Sequence, residues 1–306
     1  MVVIVLLSDF VISIGLEKLY EINQYGESGG VINYYLQGEE TPELLIMGSS
    51  RSHRHVVPDS FACSTFNLSH HGMRIPFNAA LINILAQEKK LPKVLLLHIE
   101  MGSFAFYEGQ DIAKNDVQNL RYFYTKNDKV KEYINGLSGS EQFKYLFRSY
   151  RFNGRIPSLI KNVIKTKRSK PHHDGFEPLY PTKQDSARIE LQIKLQAEIK
   201  RPDAPIFISK KAVSFLNDVI KTCKEENIRL VLFNSPRFLP PNEGQIMASD
   251  YLTNLCSEKQ IEFLNFDTVE ILALKKRKYW RDFEHMNING ASIFTSYLKQ
   301  QIELCN

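Results

Sequence analysis

Cysteine is scarce in this 306-residue sequence: Cys63, Cys223, Cys256 and Cys305 stand far apart and form no CxxC pair. That spacing argues against a structural zinc or a dense disulfide framework and leaves the redox compartment open. A dominant charge is also missing, since 39 basic against 34 acidic residues leave a net charge of only +5. Such an excess tolerates anionic partners without pointing to dedicated nucleic-acid binding. Nor is there a zinc-finger spacing, an aromatic-rich RNA motif or a fixed-period repeat. A long apolar run is the third absence. The opening MVVIVLLSDFVISIGL is interrupted by Asp9 and falls short of the roughly 20 apolar residues that span a bilayer. It also lacks the basic start and small-residue cleavage site of a secretory signal. Two readings of it stay open: a buried first helix or strand, or the tail of a membrane anchor.

What remains is an ordinary globular composition, 43% hydrophobic and 24% charged, with length enough for a substantial core. Beyond a Gly-rich joint at 26–30, short apolar runs read as strands at 44–47, 65–68, 94–99, 228–233 and 261–266. Helical spacing predicts helices over 75–90, 210–227 and 244–259, and a last one reaching about 304 with Asn287 or Asn289 as its N-cap. Continuous apolar strands alternating with amphipathic helices imply a parallel sheet covered on both faces. The expected fold is a three-layer, flavodoxin-like α/β domain over 41–306 with a mostly parallel five-stranded sheet, preceded by an apolar segment and joint over 1–40. The stretch 103–205, rich in Tyr, Phe, Lys and Arg, breaks the rhythm. It reads as a large, partly helical insertion with an exposed loop near 165–185, on the substrate side of the sheet.

Chemistry-bearing residues gather at strand ends. Gly48-Ser49-Ser50-Arg51 follows the first strand directly, where ligands of open α/β sheets collect. A serine nucleophile needs a base, and the base needs a carboxylate to hold its tautomer. YWRDFEHMNINGA (279–291) offers both, in Asp282 and His285. Gly72, in FNLSHHGMR (66–74), suits a backbone N–H aimed at an oxyanion. Each piece also has an ordinary meaning: a turn serine, a capping aspartate beside a surface histidine, a turn glycine.

Together the three pieces resemble the SGNH/GDSL hydrolase superfamily, and most nearly its envelope-polysaccharide branch, in which GSSR replaces GDSL and an N-terminal membrane segment is common. The resemblance covers about 41–102 and 206–304. It implies an SGNH hydrolase-like fold with Ser50 as nucleophile in preference to Ser49, His285 as base and Asp282 as its orienting acid. The N–H groups of Ser50 and Gly72 form the implied oxyanion hole. The activity implied is hydrolysis of O-acyl groups, O-acetyl in particular, on a carbohydrate or cell-envelope glycan. Transfer to a sugar hydroxyl is the alternative, and a non-catalytic binding or assembly module on the same fold is another. One departure stands out. The family places an asparagine-bearing GxND block after the third strand, and here that place reads HIEMGSF (98–104), with Glu100 and no asparagine. Losing one oxyanion donor costs about 3–4 kcal/mol, and Asn67 is the nearest substitute amide.

Other residues complete the expectations. Arg51 could pair with Glu100 or hold an anionic substrate group, and Tyr150 and Arg151 suit sugar stacking and anionic groups. His53, His55, His70, His71 and the HHD at 172–174 match no zinc spacing, so neither metal nor cofactor is expected. The basic run over 161–170 reads as a solvated face. The expected partner is a carbohydrate or acylated small molecule, with membrane association and without nucleic acid. The expected location is a bacterial-type cell envelope, with the cytoplasm as the alternative.

Overall fold

Four consecutive apolar residues, Leu44–Met47, form β1, and all four are fully buried. A strand without a polar face has to be covered on both sides. The computed structural model describes residues 1–108, 116–168, 174–199, 203–267 and 271–302. Its further strands are β2 Thr65–Asn67, β3 Val94–His98, β4 Ala105–Tyr107, β5 Ile206–Ile208, β6 Arg229–Asn234 and β7 Glu262–Asn265. Five of them form a parallel sheet in the order β2-β1-β3-β6-β7. Counting only those five strands, this is the 2-1-3-4-5 order of flavodoxin-like sheets, whose chain direction across the sheet reverses between β1 and β3. The remaining two pair as an antiparallel ribbon, Ala105 facing Ile208.

The helices are α1 Val2–Glu21, α2 Val31–Gln37, α3 Ser50–His55, α4 Ile75–Gln87, α5 Asp128–Asn135, α6 Glu141–Lys144, α7 Ile156–Arg168, α8 Asp185–Glu198, α9 Lys210–Glu225, α10 Glu243–Lys259 and α11 Ile288–Gln301. The chain divides into two compact units. One comprises Met1–Thr41, Pro76–Leu91 and Ala113–His173, and the other Pro42–Ile75, Pro92–Ile112 and Asp174–Asn306. The stretch 103–205 is shared between them.

The second unit holds the sheet. Leu44, Ile46, Leu96, Val231 and Phe233 on one face pack with Phe294 and Leu298 of α11. Helices α9 and α10 lie against β6 and β7. Local signals set the helix ends. Asn242 and Gln245 close a capping box at the start of α10, and Gln260 ends that helix in the left-handed region. The Asn287 side chain accepts the N–H groups of Asn289 and Gly290 at the start of α11.

The first unit answers the question raised by Asp9. Its carboxylate accepts the backbone N–H groups of Arg148 (2.6 Å) and Ser149 (3.1 Å) and the Ser149 hydroxyl. The acid that interrupts the apolar run therefore caps a distant turn. About three turns further along α1, Tyr20 stacks on Tyr122 with centroids 3.7 Å apart. The outer half of α1 is different: Val3, Ile4, Leu7, Val11 and Ile12 are all exposed. No helix of the described residues is long and apolar enough to cross a membrane.

Candidate active site

The turn after β1 is shaped by close packing. Gly48 has φ +144°, and a Cβ there would lie 2.5 Å from His98 Cβ, so only glycine lets β1 and β3 end this close together. Ser49 then caps α3, its Oγ accepting the Arg51 N–H (3.3 Å). Ser50, the first residue of α3, is half-buried. These residues sit at the carboxyl end of β1, beside the reversal point of the sheet.

His285 Nε2 lies 2.9 Å from Ser50 Oγ, and its Nδ1 lies 3.0 Å from each carboxylate oxygen of Asp282. Asp282 is pinned from below as well, accepting the N–H groups of Glu284 (2.9 Å) and His285 (2.7 Å). Burial pushes the Asp282 carboxyl up, but the imidazole and these N–H groups outweigh it and hold its pKa below the ordinary value. The carboxylate therefore fixes Nδ1 as the protonated nitrogen and leaves Nε2 to take a proton from Ser50. The three residues open on a cleft of about 430 Å3, also lined by Gly72, Arg54, Arg188 and Arg281. Gly72 has φ +69° with open space where a Cβ would stand. Among the described residues, neither its N–H nor that of Ser50 has an acceptor.

Glu100 does not line this cleft. Arg51 Nη1 (3.1 Å) and Arg237 both grip its carboxylate, and Ser49 Oγ donates to it (3.2 Å). Burial raises its pKa, but the two guanidiniums overcome that and hold it at about 2. Asp267 completes a four-charge cluster, 3.7 Å from Arg51 and 3.4 Å from Arg237. Arg51 is itself buried and lines a separate cavity of about 540 Å3. Removing one partner of a buried pair leaves an uncompensated charge. Glu100→Ala should therefore lower the unfolding free energy by about 3 kcal/mol, read from urea denaturation. A loss below about 1 kcal/mol would mean that the cluster resembles an exposed ion pair.

A polar relay runs beneath the site. The Met286 N–H donates to His55 Nε2 (3.0 Å), so His55 Nδ1–H faces Ser235 Oγ (3.0 Å). Ser235 reaches His98 Nε2 (3.3 Å), and His98 Nδ1 reaches Ser49 Oγ (3.4 Å), which donates to Glu100. Burial, reinforced by Arg51, keeps both histidines neutral: His98 falls to about 3, and His55 lies well below the ordinary value. The relay thus ties the loop of His285 to the ends of β1, β3 and β6.

Three sequence candidates fall elsewhere. Asn67 donates both amide hydrogens, to the Ser52 and Val56 carbonyls (3.1 Å each), and accepts the Ser69 N–H, leaving none for an oxyanion. Arg151 is buried in the first unit, bound to Glu17, Thr125 and the carbonyls of Arg148 and Tyr122. Tyr150 meets the Tyr145 ring edge-on in the same unit. Among the histidines, His53 and His71 come together with Glu177, one ligand atom from each lying within 4.8 Å of the others. The Arg54 guanidinium already holds that cluster, 3.0 Å from His71 and 2.7 Å from Glu177. His172 and His173 lie outside the described residues. The residues that sequence reasoning passed over are Ser235, Arg237 and Asp267. The signal was FNSPR (233–237) at the end of β6, a strand end as polar as GSSR.

No protein-family model matches the chain, and no curated protein matches its sequence. The functional reading therefore rests on the geometry and on the sequence resemblance.

Proposed function

We propose that the chain is a serine acyl hydrolase of the SGNH/GDSL kind, acting on O-acetyl or similar esters of a carbohydrate or envelope glycan. The observation that carries this reading is the unbroken line Ser50 Oγ, His285 Nε2, His285 Nδ1, Asp282. Ser50 Oγ attacks the ester carbonyl while its proton passes to His285 Nε2. The Asp282 carboxylate stabilises the imidazolium, and the N–H groups of Ser50 and Gly72 face the oxyanion. Collapse breaks the ester C–O bond, and the departing alcohol takes the proton from His285. Water then repeats the sequence on the acyl-enzyme, releasing the acid and restoring Ser50. A sugar hydroxyl in the place of water gives an acetyltransferase by the same steps. The carbohydrate class is supported by the sequence resemblance alone. The test is turnover of 4-nitrophenyl acetate, which should be lost with Ser50→Ala; turnover equal in both proteins removes the reading. A binding module on this fold would then take its place.

The location proposed is the envelope side of a membrane. Cys63 is disulfide-bonded, which fits an oxidising compartment. The first unit exposes Val3, Ile4, Leu7 and Val11 on α1 and Ile156, Ile160 and Ile164 at helical spacing on α7, beside Lys161 and Lys165. Apolar side chains with flanking bases suit a helix lying in a lipid interface. The protein should sediment with phosphatidylglycerol–phosphatidylcholine vesicles. Leu7→Asp combined with Val11→Asp should abolish this without changing the melting temperature. Equal sedimentation of both proteins would remove the proposal.

A further inference from the structure

Three arginines line the cleft at Ser50, and two are already paired. Arg54 holds the Glu177 carboxylate at 2.7 Å. Arg281 holds Asp185 and the Thr182 hydroxyl. Arg188 has no such partner: among the described residues no carboxylate lies within ion-pair distance of its guanidinium, and its side chain makes no hydrogen bond. Its backbone position is fixed all the same. Asp185, locked by Arg281, is the first residue of α8, and Arg188 stands three residues on, on the same helix face. The side chain is half-buried in the cleft wall. Among the described residues the one carboxylate lining the cleft, Asp282, is already engaged by His285 and two backbone N–H groups.

A guanidinium that gives up part of its hydration gains most from a planar anion that takes two of its N–H groups at once. We propose that Arg188 binds an anionic group of the substrate, a carboxylate or a phosphate, so that the cleft selects esters carried on acidic molecules over neutral ones. The proposal rests on the reading of Ser50 as the nucleophile only for what happens next. In that step the Oγ–carbonyl bond forms, the ester C–O bond breaks, and the alcohol leaves with the proton from His285. The anion stays paired with Arg188 throughout. Arg188 is therefore a specificity residue, and it takes no part in the bond changes.

The test separates binding from chemistry. Three acetyl esters serve as probes: neutral 4-nitrophenyl acetate, the carboxylate 5-acetoxy-2-nitrobenzoate, and the phosphate 4-acetoxyphenyl phosphate. Binding to the full-length Ser50→Ala protein is followed by ligand-observed NMR titration, and turnover is measured on the wild type. At least one anionic ester should bind about tenfold more tightly than the neutral one, which is about 1.4 kcal/mol. The tighter of the two identifies the anion as carboxylate or phosphate. Arg188→Gln, which keeps an amide-tipped stem, should erase that preference in the Ser50→Ala background, and Arg188→Lys should keep part of it. Equal binding of the three esters, or a preference that survives Arg188→Gln, overturns the proposal. If the preference and its dependence on Arg188 are present but wild-type turnover is absent, the anion site stands and the hydrolase reading falls. If turnover depends on Ser50 but ignores charge, the hydrolase reading stands and the anion site falls.

Discussion

Ser50→Ala should abolish covalent labelling by a fluorophosphonate, a probe that reports nucleophilicity without needing the natural substrate. The expected effect is the largest available here, because Ser50 Oγ is the only hydroxyl hydrogen-bonded to His285 among the described residues. His285→Ala should suppress the labelling rate by about a millionfold, since nucleophile and base act as one unit and their losses do not add. Asp282→Asn should leave a slow residue, about ten-thousandfold down, because an amide facing Nδ1 favours the wrong tautomer while the nucleophile remains. Ser49→Ala should keep most of the labelling, since Ser49 Oγ is turned toward Glu100 and His98. Mass spectrometry of the labelled peptide assigns the site. Labelling at Ser49, or unchanged labelling of Ser50 in the His285→Ala protein, would break the proposed mechanism.

The protein should lose stability steeply as pH falls below 6.5. Four histidines of the sheet-bearing unit are buried and held neutral. Burial lowers His53 and His98 to about 3 and His70 to about 4, and takes His55 well below the ordinary value. In the unfolded chain each takes up a proton near pH 6.5. Between that pH and the depressed folded values, the unfolded state binds more protons than the folded one, so acid favours unfolding. Each such group contributes about 1.4 kcal/mol per pH unit at full effect, and four together reach about 5 kcal/mol per unit near pH 5. That rivals the whole stability of a domain, about 5–15 kcal/mol. Glu100 extends the loss at lower pH: its stabilising ionised form, dominant above the ordinary carboxylate value, disappears as pH falls toward its folded pKa of about 2. Urea midpoints at pH 8, 7, 6 and 5 should be level over the first two and fall sharply over the last two. A flat profile down to pH 5 would show that these imidazoles are charged or hydrated in the folded protein.

The sheet was legible because its inner strands are mostly apolar runs. Leu44–Met47 and Val94–His98 are buried on both faces, and such a strand carries its signal in composition alone. The ribbon of β4 and β5 was not legible. Three residues on each side are too few for an alternation to declare itself. Asp282 and His285 could be read because one four-residue stretch supplies both groups, and Ser50 because strand ends gather chemistry. Asn67 was misjudged for a reason that no sequence displays: the carbonyls of Ser52 and Val56 already consume its amide. Arg151 was expected to meet anionic groups because an arginine bound inside the fold and one open to substrate look alike until Glu17 is seen beside it. The first unit escaped altogether, since its core joins Tyr20 to Tyr122 across a hundred residues of chain.

The relay from Met286 to Glu100 has a sense that neither end can reverse. A backbone N–H can only give a proton, and a carboxylate held ionised by two guanidiniums can only receive one. Every group between them must therefore take from one side and give to the other, with one proton per gap. This restricts what heredity can substitute. Ser235→Thr preserves the grammar of the line, and His98→Gln can, since an amide also gives and takes. Ser235→Ala cuts it, and an added proton on His55 sets two donors face to face at Met286, the residue next to His285. A lineage carrying this fold can vary the cleft walls one residue at a time, but along this line it must move by substitutions that keep the direction of giving.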